Sequence, residues 1–247
     1  MLEHAPLAHC VLFSDLAKAK AGDLVEIMGD EAHHAARVKR VRPGERIGLI
    51  DARGRFGTGA LSAVTGSRSK PVLQIQLELC ELCPQPQPVI EVYAALPKGD
   101  RLDRMIDQLT QLGVTRFRPL LCEHAQRKTD TVRPDKLDRI VIEAMKQCRR
   151  CWPLVIDDPI VLEDAVRDPD AIIADATGPI WETTRDATTR RVLIVGPEGG
   201  WSNTERALFV ETNASVRRFG IFVMRIEAAA AAAASLAMCV NDCEYGS

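Results

Sequence analysis

The chain has 247 residues, enough for two modest domains, and its 46% hydrophobic and 27% charged content is that of an ordinary globular protein. No apolar run reaches the length of a membrane span, and Met1–Leu7 lacks a basic stretch leading into an apolar one; both observations argue against a membrane protein and predict a cytoplasmic one. The net charge of −2 hides two basic regions: residues 31–60 carry seven Lys/Arg against three acids and residues 98–150 thirteen against eight, whereas residues 151–191 carry four against nine. Such a division suits either a polyanionic partner bound over a limited face or a mixed solvated surface.

Short alternating runs punctuated by glycine come first. Leu24–Ile27, Arg46–Ile50, Gly59–Val64 and Val72–Leu77 read as strands, with turn signals at Pro43-Gly44 and Arg53-Gly54. Their shortness and even spacing predict a small β-barrel, and a helix is expected over Glu31–Lys39 with its basic residues outward. The alternating prolines of Cys83–Pro88 predict a stiff, extended connector. The expected organisation is therefore a barrel over 1–83, a linker over 84–88 and a second domain over 89–247.

Beyond the linker, strand and helix patterns alternate. Val89–Ala94 reads as a strand, and Asp100 as the cap of a helix carrying Leu102, Met105, Ile106, Leu109 and Leu112 and stopped by Gly113. Thr115–Leu121 is the next strand. Pro134 opens a helix in which Leu137, Ile140, Val141, Ala144, Met145 and Cys148 recur at helical spacing. Strands at Ala171–Ala174, at Val192–Val195 and just before Phe219 follow, and Ser202 with Glu205 forms a capping box. This alternation predicts a largely parallel sheet covered by helices.

The eight cysteines include the pairs Cys80/Cys83 and Cys148/Cys151, separated by far more than a zinc ribbon allows. Buried thiols are expected there. His33-His34 and His124 have no second ligand pair at metal spacing, so no metal is expected.

The segment richest in chemical signal is Val195-Gly196-Pro197-Glu198-Gly199-Gly200, which follows a strand and precedes the capped helix. Open α/β sheets bind ligands at such strand ends, although the same glycines would also serve a plain tight turn. The segment is neither a nucleotide P-loop nor a dinucleotide fingerprint. Phe219-Gly220 makes a second glycine turn, and Arg225 and Glu227 precede seven consecutive alanines, Ala228–Ala234. The charged pair fits a pocket, a surface ion pair or capping of the next helix. The alanines suit either a close helix crossing or an exposed helix of high propensity.

Taken together, Val195–Gly200, Phe219-Gly220 and Arg225-x-Glu227-x-Ala229 resemble the C-terminal half of the SPOUT methyltransferase superfamily. In particular they resemble the family that methylates N3 of a uridine in bacterial 16S ribosomal RNA. His33–Val38 with Arg42-Pro43-Gly44 is similar to that family's PUA-like RNA-binding barrel. Leu96–Gly99, Gln108–Val114 and Glu143-Ala144-x-x-Gln147 also fall in place. The chain departs from the family at Lys146, Arg149, Phe222 and Ala228, where Glu, Gly, Arg and Thr are usual.

The resemblance implies a trefoil-knotted α/β SPOUT domain preceded by a small PUA-like β-barrel. It also implies S-adenosylmethionine as cofactor, the 16S rRNA or small ribosomal subunit as partner, and a homodimer. The cofactor would meet Ala174, Asp175, Val195, Gly196, Pro197, Glu198, Gly199, Gly200, Phe219, Gly220, Val223, Met224 and Arg225. Arg225 would stabilise negative charge on the uracil and Glu227 would assist it. RNA would be held by Arg37, Lys39, Arg40 and Arg42 on the barrel and by Lys98, Arg127 and Lys128 beside the pocket. Methylation of another RNA position, such as a ribose 2′-hydroxyl, and a non-catalytic role in ribosome assembly stay open at this point.

Overall fold

The computed structural model describes residues 7–125, 132–181 and 189–239. The described residues divide into two compact units, one built from residues 7–85 together with Ile142–Pro153, the other from Pro86–Val141 and residues 154–239.

In the first unit, β1 (His9–Leu12), β2 (Leu24–Ile27), β3 (Arg46–Ile50), β4 (Arg55–Gly66) and β5 (Pro71–Leu82) form one five-stranded sheet in the order β1-β3-β4-β5-β2. The β1–β3 pair is parallel and the other pairs are antiparallel. Strand alternation builds the core: Leu73, Ile75 and Leu77 point inward with Val25, Ile27, Ile47, Leu49 and Leu61, while Glu26 and Gln76 face out. Two differences from the sequence reading have physical causes. Strands β4 and β5 extend past their apolar alternation to Arg55 and Leu82, because backbone pairing carries the hairpin on where the side chains no longer alternate. Strand β1 went unpredicted because His9-Cys10-Val11-Leu12 shows no alternation; parallel pairing with β3 and the Glu31 carboxylate, which accepts Leu12 N–H at 3.0 Å, hold it.

The helix expected over Glu31–Lys39 is present in two parts, α1 (Gly29–His33) and a wider π turn over His34–Lys39. Arg40, at φ 57°, ends it in the left-handed region. Arg37, Lys39, Arg40 and Arg42 are all exposed.

Three long-range links help tie residues 142–153 into this unit. Lys146, only 5% exposed, bonds Glu31 at 2.8 Å and Glu143 at 2.6 Å. Burial pulls its pKa down, but the bonds to Glu143 and Glu31 outweigh this and hold it above the ordinary lysine value. Further on, Trp152 donates its indole N–H to the Cys83 carbonyl at 3.0 Å and packs where a side chain on Gly54 would have to lie. Cys83 and Cys151 bring their sulfurs to 2.9 Å, so one member of each Cys-x-x-Cys pair meets the other across the fold.

The second unit is a wholly parallel sheet of seven strands. They are β6 (Val89–Ala94), β7 (Arg116–Leu121), β8 (Val155–Ile156), β9 (Ile160–Val161), β10 (Ala171–Ala174), β11 (Arg190–Val195) and β12 (Ser215–Arg217). Their order is β12-β10-β11-β6-β7-β8, and β9 pairs with β7. The central strands β6 and β11 are nearly continuous buried runs, as a sheet covered on both faces requires. The helices are α2 (Arg101–Gln111), α3 (Pro134–Cys148), which crosses the division between the units, α4 (Leu162–Ala165), α5 (Asn203–Glu211) and α6 (Ile226–Cys239).

Helix α6 packs against α2, β6 and β11. Ala230, Ala233, Ala234 and Ala237 recur at helical spacing and are fully buried, so the alanine run serves a close crossing. Asp100 does not cap α2 through its side chain. Its backbone is already helical (φ −76°, ψ −3°), which turns the carboxylate away from the amides ahead, and it pairs with Arg104 at 2.8 Å instead. Among the described residues no helix is long and apolar enough to cross a membrane.

His9 generates a test of the first unit. Burial, reinforced by His34 and Lys146, lowers its pKa from 6.5 to about 4. Between those values the unfolded chain binds a proton that the folded chain refuses, so stability is lost as the pH falls through this window. The melting temperature of the wild type is expected to drop more steeply over that range than that of His9→Gln, as read by calorimetry.

Candidate functional site

Parallel pairing places the carboxyl ends of β10, β11 and β12 side by side, with Ala174 opposite Val195 on one flank and Arg217 on the other. Three loops leave this edge and surround one cavity of about 370 Å³. The loop after β10 contributes Asp175 and Ala176, and the loop after β11 contributes Gly196–Trp201. The loop after β12 contributes Arg218–Met224, and Ile226 and Ala229 of α6 complete the wall.

Each loop is fixed by identifiable bonds. After β11, Trp201 folds back under the turn: its indole N–H donates to the Ala174 carbonyl at 3.1 Å and its ring meets Phe209 edge-on with centroids 5.2 Å apart. A side chain on Gly196 would lie 2.6 Å from that ring, so this glycine makes room for Trp201. The expected capping box is complete: Ser202 accepts Glu205 N–H at 3.2 Å and Glu205 accepts Ser202 N–H at 2.7 Å. The other Glu205 oxygen accepts Glu123 N–H at 2.9 Å, and His124 Nδ1 lies 3.0 Å from the Gly200 carbonyl, tying the end of the β7 loop to this turn.

Asp175 is buried beside the cavity. One of its oxygens accepts the backbone and hydroxyl of Thr177 at 2.8 and 2.7 Å, and the other pairs with Arg206 at 2.7 Å. The loop after β12 is anchored by Arg218 N–H to the Pro179 carbonyl at 2.8 Å and by Trp181 N–H to the Arg218 carbonyl at 3.0 Å. The Trp181 ring meets Phe219 edge-on, centroids 5.0 Å apart, and Arg191 lies over it at 5.6 Å. Past this anchor, Ile221, Phe222 and Val223 are 72%, 79% and 89% exposed.

Of the residues expected around a cofactor, Ala174, Asp175, Val195, Gly196, Pro197 and Glu198 line the cavity, as do Gly199, Gly200, Phe219, Gly220, Val223 and Met224. Arg225 is exposed and lies outside the lining. Glu227 stands in the first turn of α6, with Oε2 buried and 3.9 Å from Arg101. Lys98 is exposed on the loop after β6. Arg127 and Lys128 lie outside the described residues. The sequence reading missed Arg206 and Arg218, two guanidinium groups of the lining; Arg218 Nε is buried without a hydrogen-bond partner among the described residues. Neither stands in a glycine turn, so no local signal marks them. Among the described residues, no group of three His, Cys, Asp or Glu is placed to hold a metal ion.

Known proteins give this geometry its context. The profile of the RNA methyltransferase domain family matches residues 84–238, and that of the RNA methyltransferase PUA domain matches residues 27–69. The chain belongs to the RNA methyltransferase family. This methyltransferase is 29% identical over 246 residues to ribosomal RNA small subunit methyltransferase E of Mycobacterium bovis, covering 91% of this chain and 92% of that one. It is 28% identical over 234 residues to the protein of the same name from Aquifex aeolicus, covering 90% and 97%. In fold it is similar to ribosomal RNA small subunit methyltransferase E of Neisseria gonorrhoeae, a structure bound to S-adenosyl methionine, with a TM-score of 0.75, 22% identity and coverage of 94% and 97%.

Gly196→Ala tests the packing under the cavity. The methyl group would displace the Trp201 ring, and a cost of about 1–3 kcal/mol is expected. Denaturant unfolding with tryptophan fluorescence checks this; unchanged stability and emission would show that the ring has room to move.

Proposed function

We propose that this methyltransferase transfers the methyl group of S-adenosylmethionine to N3 of a uridine in the 16S ribosomal RNA of the small subunit. The observation that carries the reading is the meeting of three strand-end loops on one cavity inside the matched methyltransferase region. The cavity suits the cofactor chemically. Val195, Ile226 and Ala229 offer apolar surface, and the loop main chains at 196–200 and 219–224 offer donors and acceptors to a base and ribose. Arg218, whose buried Nε has no hydrogen-bond partner among the described residues, suits a carboxylate, and Glu198 suits cationic groups. When bound, S-adenosylmethionine supplies an electrophilic methyl group on a sulfonium centre.

The protein's own task lies with the acceptor. Uracil N3 carries a proton and attacks only as that proton leaves, while negative charge spreads to O2 and O4. The Arg225 guanidinium, exposed just ahead of α6, meets that developing charge in an oxyanion-type role. Glu227 assists it from the first turn of α6, where Oε2 is buried with no hydrogen-bond donor on it among the described residues. Holding both reactants between the loops supplies much of the remaining acceleration.

The same reading assigns the larger architecture. Residues 1–83 act as a PUA-like RNA-binding barrel, 84–88 as linker and 89–247 as the SPOUT domain with its trefoil knot. The return of α6 onto the central strands β6 and β11, after a chain that has reached the outer strand β12, supports the knotted course. Arg37, Lys39, Arg40 and Arg42 with Lys98, Arg127 and Lys128 take the phosphates. A second copy of the chain, making a homodimer, would cover exposed Ile221–Val223. The setting is cytoplasmic.

Incubation with S-adenosylmethionine and small subunits lacking the modification, followed by nucleoside mass spectrometry, is expected to yield 3-methyluridine. A different methylated nucleoside would refute the N3 assignment, and cofactor binding without transfer would refute the substrate. Arg225→Ala is expected to lower kcat by about 10²–10³-fold, with cofactor affinity by calorimetry unchanged; parallel loss of both would move Arg225 to cofactor binding. RNA affinity should fall steeply with rising salt, and a flat dependence would remove the basic residues from the interface.

A further inference from the structure

Beside the cavity two carboxylates from distant parts of the chain meet one guanidinium. Glu198 stands in the loop after β11 and lines the cavity, whereas Glu227 belongs to the first turn of α6. Arg101, the first residue of α2, donates Nη1–H to Glu198 Oε1, and the same nitrogen lies 3.9 Å from Glu227 Oε2. Its Nε–H donates to the Lys98 carbonyl at 3.2 Å, which anchors the planar fork to the loop ahead of the helix. The side chains of Arg101 and Glu227 are only 20% and 16% exposed, so neither is an ordinary solvated surface charge.

We propose that Arg101 is a positioning residue for methyl transfer, fastening the Glu198 loop to the first turn of α6 beside the cavity. The proposal rests on the reading of the cavity given above.

The physical case has two parts. Two like charges brought near one another repel, and a cation between them turns that repulsion into a bridge. The charged groups facing Arg101 are Glu198, Glu227 and, more weakly, Asp100, whose own charge is engaged by Arg104. The bond from Glu198 raises the Arg101 pKa above the ordinary arginine value, so this cation is present at every pH at which a protein stays folded. At 3.9 Å Arg101 faces Glu227 as a charge partner and leaves Oε2 with no hydrogen-bond donor among the described residues.

The second part is geometric. The loop after β11 and the start of α6 come from different strand ends, and Arg101 spans them through one side chain. A shift of about 1 Å between groups that must meet a reacting centre costs about 100-fold in rate. A lysine would supply the charge without the fork, which separates the two contributions.

Arg101→Gln, Arg101→Lys and Arg101→Gln/Glu227→Gln are compared with the wild type on unmodified small subunits. Measured for each are kcat, KM for the subunit, S-adenosylmethionine affinity by calorimetry and the melting temperature. Arg101→Gln is expected to lose about 100-fold in kcat with little change in KM. Arg101→Lys should recover part of kcat, and should do so even where Arg101→Gln folds poorly. The double variant should be no slower than the slower single variant, because both changes disable one arrangement.

Wild-type kcat in Arg101→Gln would overturn the proposal and leave the reading of the cavity intact. A rise in KM matching the loss of kcat in Arg101→Gln, with no recovery in Arg101→Lys, would reduce Arg101 to structural support and also overturn it. A wild type that binds no cofactor would overturn the reading of the cavity and the proposal with it, and one that binds cofactor but transfers no methyl group would overturn the assigned substrate and the proposal.

Discussion

The walls of the cavity depend on the parallel register of β10 with its two neighbours. Because the three strands run the same way, their loops emerge at one edge, and because Ala174 lies opposite both Val195 and Arg217, those loops start level. A slip of one residue would exchange the faces of a strand and carry Asp175 away from Arg206 and Thr177. The bond from Trp201 to the Ala174 carbonyl joins the β11 loop back to the end of β10, so the register is held by more than ladder hydrogen bonds.

The alanines of α6 transmit that order to the remaining wall. Four of them are fully buried, and this absence of bulk lets the helix lie close to β6, β11 and α2. Larger side chains there would push the helix outward and carry with it Glu227 and the cavity residues Ile226 and Ala229. A run that resembles low-complexity filler is thus a spacing device with a chemical group at its head.

What the sequence shows plainly is local. Val89–Ala94 and Ala171–Ala174 are strands over the expected residues, the Ser202/Glu205 capping box is complete, and the two glycine turns meet on one cavity. Each depends on neighbouring residues alone. What it conceals depends on partners far along the chain. Arg101 reads as an ordinary helix residue until Glu198, 97 positions away, reaches it. The Cys-x-x-Cys spacings draw attention to the wrong couples, since Cys83 meets Cys151. Asp100 has the right residue type for a cap and the wrong backbone, a distinction that only dihedral angles reveal. Arg225 is conspicuous in sequence, yet its exposed position beyond the lining separates it from the groups that shape the cavity.

The membership of Ile142–Pro153 in the first unit has a consequence for the birth of the protein. Glu31 waits for Lys146 across 115 residues of chain, and Cys83 waits for Cys151 across 68. During synthesis at about 5–20 residues per second, the opening sheet leaves the ribosome and stands for several seconds without the segment that completes it. Much of the partner unit is translated in the meantime. Among the described residues the last segment of the first unit ends at Pro153, so this unit can close before the second, but only after residues 86–141 of the second have been made, and the two are synthesised in an interleaved order.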